Sequence, residues 1–324
     1  MEPTESEKAA RLLHPVRITE QDWPEGTVPV VSIFCITYNH ERFIRDAIEG
    51  FLVQETTFPV EIFVHDDAST DGTAEIIKEY AEKHPQLFWT VLQKENQWSN
   101  GNKNILFDFL LDQRGDFTAL CEGDDRWVDL HKLQTQYEYL QSHTDCSGCF
   151  HQTSKIDAGN NIINEKMFFG GKTKYSLSDC ITIVNSAYAT CSLMFKSQTL
   201  LDPPLWLRND PCDMMMELQI ARFGDLAFID ENMAQYRIHQ GGIWNSMNPV
   251  MHLFHAMHRL QCLLEISDFQ EFRPAIEFRI KELSERLITI EELARRVEAD
   301  RIARRPWNRL AKNVRRILRT NKSR

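Results

Sequence analysis

Two acidic clusters, Asp66-Asp67 and Glu122-Gly123-Asp124-Asp125, each directly follow an apolar run. Carboxylates so placed can hold a divalent cation through oxygen ligands, and Mn²⁺ or Mg²⁺ suits carboxylates combined with phosphate oxygens. Such a cation can stabilise negative charge that develops on a reacting group. An isolated Asp-Asp pair is more often a turn or a helix cap, so the position of both pairs after strand-like runs is what gives them weight. Two further groups lie downstream: Asp213, opening the run Asp213-Met214-Met215-Met216-Glu217-Leu218, and Tyr236-Arg237-Ile238-His239.

The elements that must position these residues follow from hydrophobic periodicity. Val30 to Ile36 is a short apolar run of the kind expected for a strand covered on both faces, and it ends in Thr37-Tyr38-Asn39-His40. Phe43, Ile44, Ala47, Ile48 and Phe51-Leu52 then recur at helical spacing. A second strand is expected over Val60 to His65, followed by Ser69, Thr70 and Asp71 as helix caps and a helix carrying Ile76, Ile77, Tyr80 and Ala81. Strands over Leu87 to Leu92 and Phe117 to Cys121 flank a helix over Ile105 to Leu111. Alternating strands and helices predict an open, mostly parallel α/β sheet, whose ligands bind outside the carboxyl ends of the strands. Both acidic clusters sit at such ends. Met214, Leu218 and Ala221 can line the inner face of a helix that starts near Asp213.

From Val30 to Trp244 the chain resembles the family 2 glycosyltransferases, which have the Rossmann-like GT-A fold. The opening strand with Thr37-Tyr38-Asn39 and the stretch Asp66-Asp67-Ala68-Ser69-Thr70-Asp71-Gly72-Thr73 match that family's nucleotide-binding signatures. Glu122-Gly123-Asp124-Asp125 falls where the family has its Asp-x-Asp metal motif, with Glu in place of the first Asp. The resemblance implies that Asp67 binds the nucleotide base, with Thr37 and Asn39 lining the same pocket. Asp125 and Glu122 are the metal ligands the resemblance implies, with Asp124 contributing to the donor site. Asp213 matches the family's catalytic base, although Cys212 stands where the family has Glu, and Asp210 competes if the register slips by three. An ordinary helix N-cap, worth about 1 kcal/mol, is the competing reading of Asp213. The Tyr-Arg-x-His match assigns His239 to the metal or the diphosphate, and Arg237 to phosphate or acceptor. Lys103, in the polar loop Asn100-Gly101-Asn102-Lys103-Asn104, is a candidate phosphate contact; Trp244 either stacks on a sugar or packs against the sheet.

A carboxylate base is needed because a sugar hydroxyl is a poor nucleophile while it keeps its proton. The resemblance implies as partners a nucleoside-diphosphate sugar donor and a glycan or lipid-linked glycan acceptor, and a single base with the metal on the opposite face implies inversion at the anomeric carbon. A nucleotidyltransferase would need a Gly/Lys/Arg-rich triphosphate loop after the first strand, which Thr37-Tyr38-Asn39-His40-Glu41 is not. An inactive, membrane-associated scaffold is the non-enzymatic alternative, and intact Asp67, Asp125 and Asp213 weigh against it.

The expected organisation is an arm over 1–27, the catalytic domain over 28–245 and a helical region over 246–324. Ile276, Ile280, Leu283, Leu287, Ile290, Ala294 and Val297 alternate spacings of four and three, a seam that either pairs two subunits or buries the helix against its own chain. From Arg295 to Arg324 the chain carries twelve basic and two acidic residues, leaving −20 on the remainder of a chain whose net charge is −10. An acidic body argues against nucleic acid as a partner. The stripe Trp307, Leu310, Ala311, Val314, Ile317 and Leu318, set among Arg and Lys, fits the headgroup region of an anionic membrane; docking on the acidic body is the alternative. With 42% hydrophobic residues and no long apolar run, the expectation is a cytoplasmic protein, peripheral on the inner face of the membrane if that tail binds lipid. Cys35 and Cys121 read as small core residues, and the cysteines, including Cys146-Ser147-Gly148-Cys149, as free thiols.

Overall fold

The structure is a computed structural model and describes residues 11–102, 104–168, 170–183, 188–242, 249–290, 292 and 295. Lys103, Trp244, Ala294, Val297 and the basic stripe from Trp307 to Leu318 lie outside the described residues.

In chain order the elements are β1 (Val16–Arg17), β2 (Val31–Thr37), α1 (Ile44–Leu52), β3 (Glu55–Thr56), β4 (Val60–Asp66), α2 (Thr73–Lys83), β5 (Phe88–Leu92), α3 (Ile105–Leu110) and β6 (Phe117–Leu120). There follow β7 (Arg126–Trp127), α4 (Lys132–Ser142), β8 (Cys146–Asp157), β9 (Ile162–Asn164), β10 (Lys174–Tyr175), α5 (Leu177–Thr182), β11 (Met194–Lys196), α6 (Leu205–Asn209), α7 (Asp213–Ala221) and β12 (Asp225–Ile238). The chain divides into two compact units, Met1–Ser246 and Met247–Arg324. The second contains α8 (Pro249–Leu263) and a helix, α9, over 273–290.

The main sheet runs β10-β12-β8-β11-β6-β2-β4-β5. Strands β6, β2, β4 and β5 are parallel, joined by crossovers through α1, α2 and α3. Apolar residues cover both faces there: every residue of β4 is buried, as is every residue of β2 but Ile36. Beyond β6 the sheet becomes mixed, because the short β11 inserts antiparallel between β6 and β8, while β12 runs parallel to β8 along its whole length. The stretch from Cys191 to Phe195 does not form one continuous strand. Thr190–Ser192 forms a 3₁₀ turn, and only Met194–Lys196 pairs.

Helix α1 shows why the parallel half is stable. Ile44, Ala47, Ile48, Phe51 and Leu52 form one buried stripe, and burying each of the larger side chains is worth roughly 1.5–3 kcal/mol. At the start of α2, Gly72 occupies the cap position, while Asp71 Oδ1 accepts from Thr73 N at 3.1 Å and from the Thr73 hydroxyl at 2.5 Å. All eight cysteines are free thiols. In the second unit, Ile276 and Leu283 of the α9 seam are already buried in the single chain, which favours the intrachain use of that seam. Among the described residues no helix is long and apolar enough to cross a membrane.

The core also holds a fully buried lysine, Lys132. Lys132 Nζ donates to Gln136 Oε1 at 2.6 Å and lies 4.0 Å from the centroid of the Trp127 ring. Burial lowers its pKa to about 8. The unfolded chain therefore binds more protons at this group between pH 8 and the ordinary lysine range, so its contribution to stability rises with pH across that window. Urea unfolding of wild type and Lys132→Met from pH 7 to 10 should show the wild type gaining on the variant above pH 8. The gain should approach about 3 kcal/mol once the lysine is neutral in both states, and parallel curves would mean that Lys132 is not buried as a cation.

Candidate active site

The carboxyl ends of β2, β4 and β6 meet at one edge of the sheet. Two loops there are laced together by the side chains of the Asp66-to-Thr73 stretch. Asn39 adopts a left-handed conformation with φ of 57°. Its backbone N–H donates to Ser69 Oγ at 2.8 Å, and its Oδ1 accepts from Thr70 N at 2.7 Å. The backbone N–H groups of His40 and Glu41 donate to Thr73 Oγ1 and Asp71 Oδ2, at 2.9 and 3.1 Å. Asp66, buried, accepts from Ser69 N at 3.0 Å and from the Ser69 hydroxyl. These polar residues hold the shape of the loops.

The sequence-derived donor residues lie along this edge. Asp67 is buried; its Oδ1 accepts from Gln97 N at 2.7 Å and its Oδ2 from Trp98 N at 3.1 Å, which anchors the loop after β5. Thr37 is also buried, and its hydroxyl has no hydrogen-bond partner among the described residues. Asn39 is exposed, with its amide oxygen engaged by Thr70.

The acidic motif after β6 separates its members. Gly123 N donates to Ile36 O at 2.9 Å, which presses the loop onto the end of β2. Asp124 points toward two histidines, with Oδ2 lying 2.9 Å from His239 Nε2 and 3.7 Å from His40 Nε2. The ligand atoms of His40, Asp124 and His239 all fall within 4.8 Å of one another. Asp125 turns the other way into the protein, where Oδ1 accepts from Arg237 N at 2.8 Å. Burial, then the charge of Asp124, pushes the Asp125 carboxyl well above the ordinary range. The sequence reading gave the metal to Asp125 and the donor to Asp124; in the structure Asp124 faces the histidines and Asp125 lies beneath them. Burial works to raise Asp124 as well, but the hydrogen bond from His239 and the nearby histidine charges leave it lowered, so it is ionised at neutral pH. Burial lowers His40, and a neutral imidazole is the form that binds a cation.

Glu122 is half-buried at the same edge. Burial and the charges of Asp125, Asp124 and Asp213, in that order, push it well up. Asp213, exposed as the first residue of α7, is thus close enough to Glu122 for its charge to be felt. Met214, Met215, Leu218 and Ala221 are buried behind it. Asp210 is the C-cap residue of α6, just before α7.

Arg237 differs from its expected role. Its side chain is buried, and it donates from Nε to Asp124 O at 2.7 Å, from Nη2 to Asp46 Oδ2 at 2.9 Å, and from Nη1 to Asp157 O at 3.3 Å and to Asn160 Oδ1. Its guanidinium lies 4.7 Å from the centroid of the Phe43 ring, whose own centroid is 4.7 Å from that of His239. Arg237 therefore braces the site from within and has no face left for a phosphate. His40, Asp46 and Asn160 were not singled out from sequence. The signal available for His40 was its place just after Thr37-Tyr38-Asn39, a histidine at a strand end. A separate cavity of about 340 Å³, lined by Phe168, Tyr175, Asp179 and Ile183 among others, shares no residue with this cluster.

The comparisons agree with the fold and the motif order. The sequence profile of Glycosyl transferase family 2 matches residues 32–199. The chain belongs to that family. An uncharacterized protein of Mycobacterium tuberculosis is 38% identical over 216 residues, 67% of this chain and 61% of its own length. This chain thus spans less than two thirds of that relative. TuaG of Bacillus subtilis, named for teichuronic acid biosynthesis, is 23% identical over 243 residues, 72% of this chain and 90% of its own. Among solved structures, the mannosyltransferase PcManGT of Pyrobaculum calidifontis, in complex with GDP-Man and Mn²⁺, superposes with a TM-score of 0.54 at 16% identity, over 85% of this chain and 80% of that one. TarS 1-349 of S. aureus, in complex with UDP-GlcNAc, gives 0.52 at 17% identity over 71% and 66%. These likenesses establish the GT-A architecture.

Gly123 is the tightest point of the acidic loop: a Cβ there would lie 2.7 Å from Thr37 Oγ1 and 2.9 Å from Ile44 Cδ1. Gly123→Ala should lower stability by about 1–3 kcal/mol in a denaturant titration. Any divalent cation held at Asp124 should then bind more weakly in a calorimetric Mn²⁺ titration, because Asp124 moves with the loop. Retention of both properties would show that the loop gives way without cost.

Proposed function

We propose that this chain is a metal-dependent, inverting glycosyltransferase that moves one sugar from a nucleoside-diphosphate sugar to a hydroxyl of a glycan or lipid-linked glycan. The observation that carries this reading is the convergence of Asp124, His239 and His40 at the carboxyl ends of β2 and β6, with the charge of Asp213 felt at Glu122 on the same edge. A carboxylate oxygen of Asp124 and an imidazole nitrogen of His239 suit a divalent cation, Mn²⁺ or Mg²⁺. When bound there, the cation supplies charge stabilisation to the departing diphosphate.

The chain's own residues divide the remaining work. Asp124, ionised and flanked by His239, holds the cation, whereas Asp125 supports the loop from below. Asp67 and the amides it fixes at Gln97 and Trp98 form the floor for the nucleotide base. Asp213, at the open end of α7, takes the proton of the acceptor hydroxyl as the new C–O bond forms, a role typically worth about 10²- to 10⁴-fold. With a single base set opposite the leaving group, displacement proceeds with inversion.

UDP-GlcNAc in TarS and GDP-Man in PcManGT mark the range of donors handled on this architecture, so the base and sugar are to be assigned by assay. The name of TuaG supports a place in surface polysaccharide biosynthesis. The basic stripe from Trp307 to Leu318 supports peripheral association with an anionic membrane, testable by co-sedimentation with phosphatidylglycerol vesicles.

The decisive experiment is a panel of nucleoside-diphosphate sugars assayed for binding and hydrolysis with Mn²⁺ and with chelator. Asp124→Asn should abolish metal-dependent donor binding, and Asp213→Asn should keep donor binding while losing turnover by about 10²-fold or more. If no donor binds under any condition, the chain is a scaffold rather than a transferase.

A further inference from the structure

We propose that His40 is itself a ligand of the cation and that it sets the site's preference for Mn²⁺ over Mg²⁺; this rests on the reading that a divalent cation binds at Asp124.

His40 is held where a ligand would need to be. Its backbone is fixed from both sides: N donates to Thr73 Oγ1 at 2.9 Å, and O accepts from Phe43 N and Ile44 N, each at 2.8 Å, at the entry to α1. The left-handed Asn39 before it turns the chain so that the imidazole faces the acidic loop. The approach of His40 Nε2 to Asp124 Oδ2, 3.7 Å, is too long for a hydrogen bond. It is close to the spacing of about 3 to 3.5 Å expected for two donors sharing a first-row ion at the usual ligand distances.

A histidine kept for packing normally has its ring nitrogens satisfied. His40 does not follow that pattern: Nδ1 is buried without a hydrogen-bond partner among the described residues, and Nε2 faces only the carboxylate of Asp124 and, edge-on, the ring of His239, with centroids 6.0 Å apart. Phe43 packs against His239 from the other side. The two imidazoles therefore present their Nε2 atoms to one carboxylate oxygen.

The donor set gives the consequence. A centre with one nitrogen ligand still admits Mg²⁺ through the remaining oxygens, whereas a second imidazole shifts preference toward ions that bind nitrogen well. His40, and not the acidic motif, then decides which cation is used. The competing role for His40 is that of a simple electrostatic prop for Asp124, which would affect all cations alike.

The test uses the full chain with Mn²⁺ in the presence of UDP or of GDP. Pulsed electron paramagnetic resonance should detect two coordinated imidazole nitrogens in wild type and one in each of His40→Gln and His239→Gln. Calorimetry should show Mn²⁺ affinity falling about tenfold or more in His40→Gln, a loss of the size seen when a metal's ligand environment is disturbed. Mg²⁺ affinity should change several-fold less, and His40→Asn should behave in the same way. Thermal melting of each variant separates loss of a ligand from loss of the fold. An unchanged nitrogen signal, or equal loss for both ions, overturns the ligand assignment while leaving the metal-dependent transferase intact. Absence of Mn²⁺ binding by wild type with either nucleotide overturns both.

Discussion

The buried guanidinium of Arg237 is the interaction on which the site depends. A charge removed from water costs several kcal/mol unless it is paired and its donors are satisfied. Here it meets Asp46 from α1, the carbonyl of Asp124, and Asp157 with Asn160 at the turn between β8 and β9, while its own backbone N–H holds Asp125. Three segments far apart in sequence are thereby tied to the acidic loop through one side chain. Burial works to lower the Arg237 pKa, and the charge of Asp46 works against that. The cation is thus retained by its partners rather than by solvent.

Around this brace, neighbouring residues take opposite duties by facing opposite ways. Asp124 looks out to the histidines and Asp125 looks in to Arg237 N; Arg237 looks in, and two residues on His239 looks out. The parallel pairing of β2 with β6 brings Phe34 level with Leu120, which carries His40 and Asp124 to the same edge just beyond. Long parallel pairing of β12 with β8 delivers His239 there from the far side of the sheet. The site is a property of register at the carboxyl ends of strands, where α/β sheets generally bind their ligands.

Much of this was legible in the residues. The runs beginning at Val31, Val60 and Phe117 are buried on both faces, and their apolar continuity is what burial of that kind looks like in a sequence, whereas the run beginning at Phe88 forms the edge strand, with Trp89 and Thr90 exposed. Asp213 could be placed at a helix start because Met214, Leu218 and Ala221 repeat at helical spacing behind it. What could not be read was strand adjacency. β6 lies beside β2 although β3, β4 and β5 intervene in the chain, so nothing local paired His40 with Asp124. The choice between Asp124 and Asp125 was equally hidden. Both are carboxylates one residue apart, and only the backbone of Arg237 decides which of them turns inward. Arg237 was taken for a ligand-facing group because a motif records residue type and not direction.

The lacing of the 38–41 segment to the 68–73 segment has a thermodynamic consequence. Asn39, Ser69, Asp71 and Thr73 freeze these loops within the folded protein, so their conformational entropy is lost during folding and not again when a nucleotide arrives. Rigid loops of this kind make association resemble the closing of a preformed cleft rather than coupled folding. For these segments, the heat-capacity change on binding should reflect the area that the ligand itself covers and carry no signature of ordering chain.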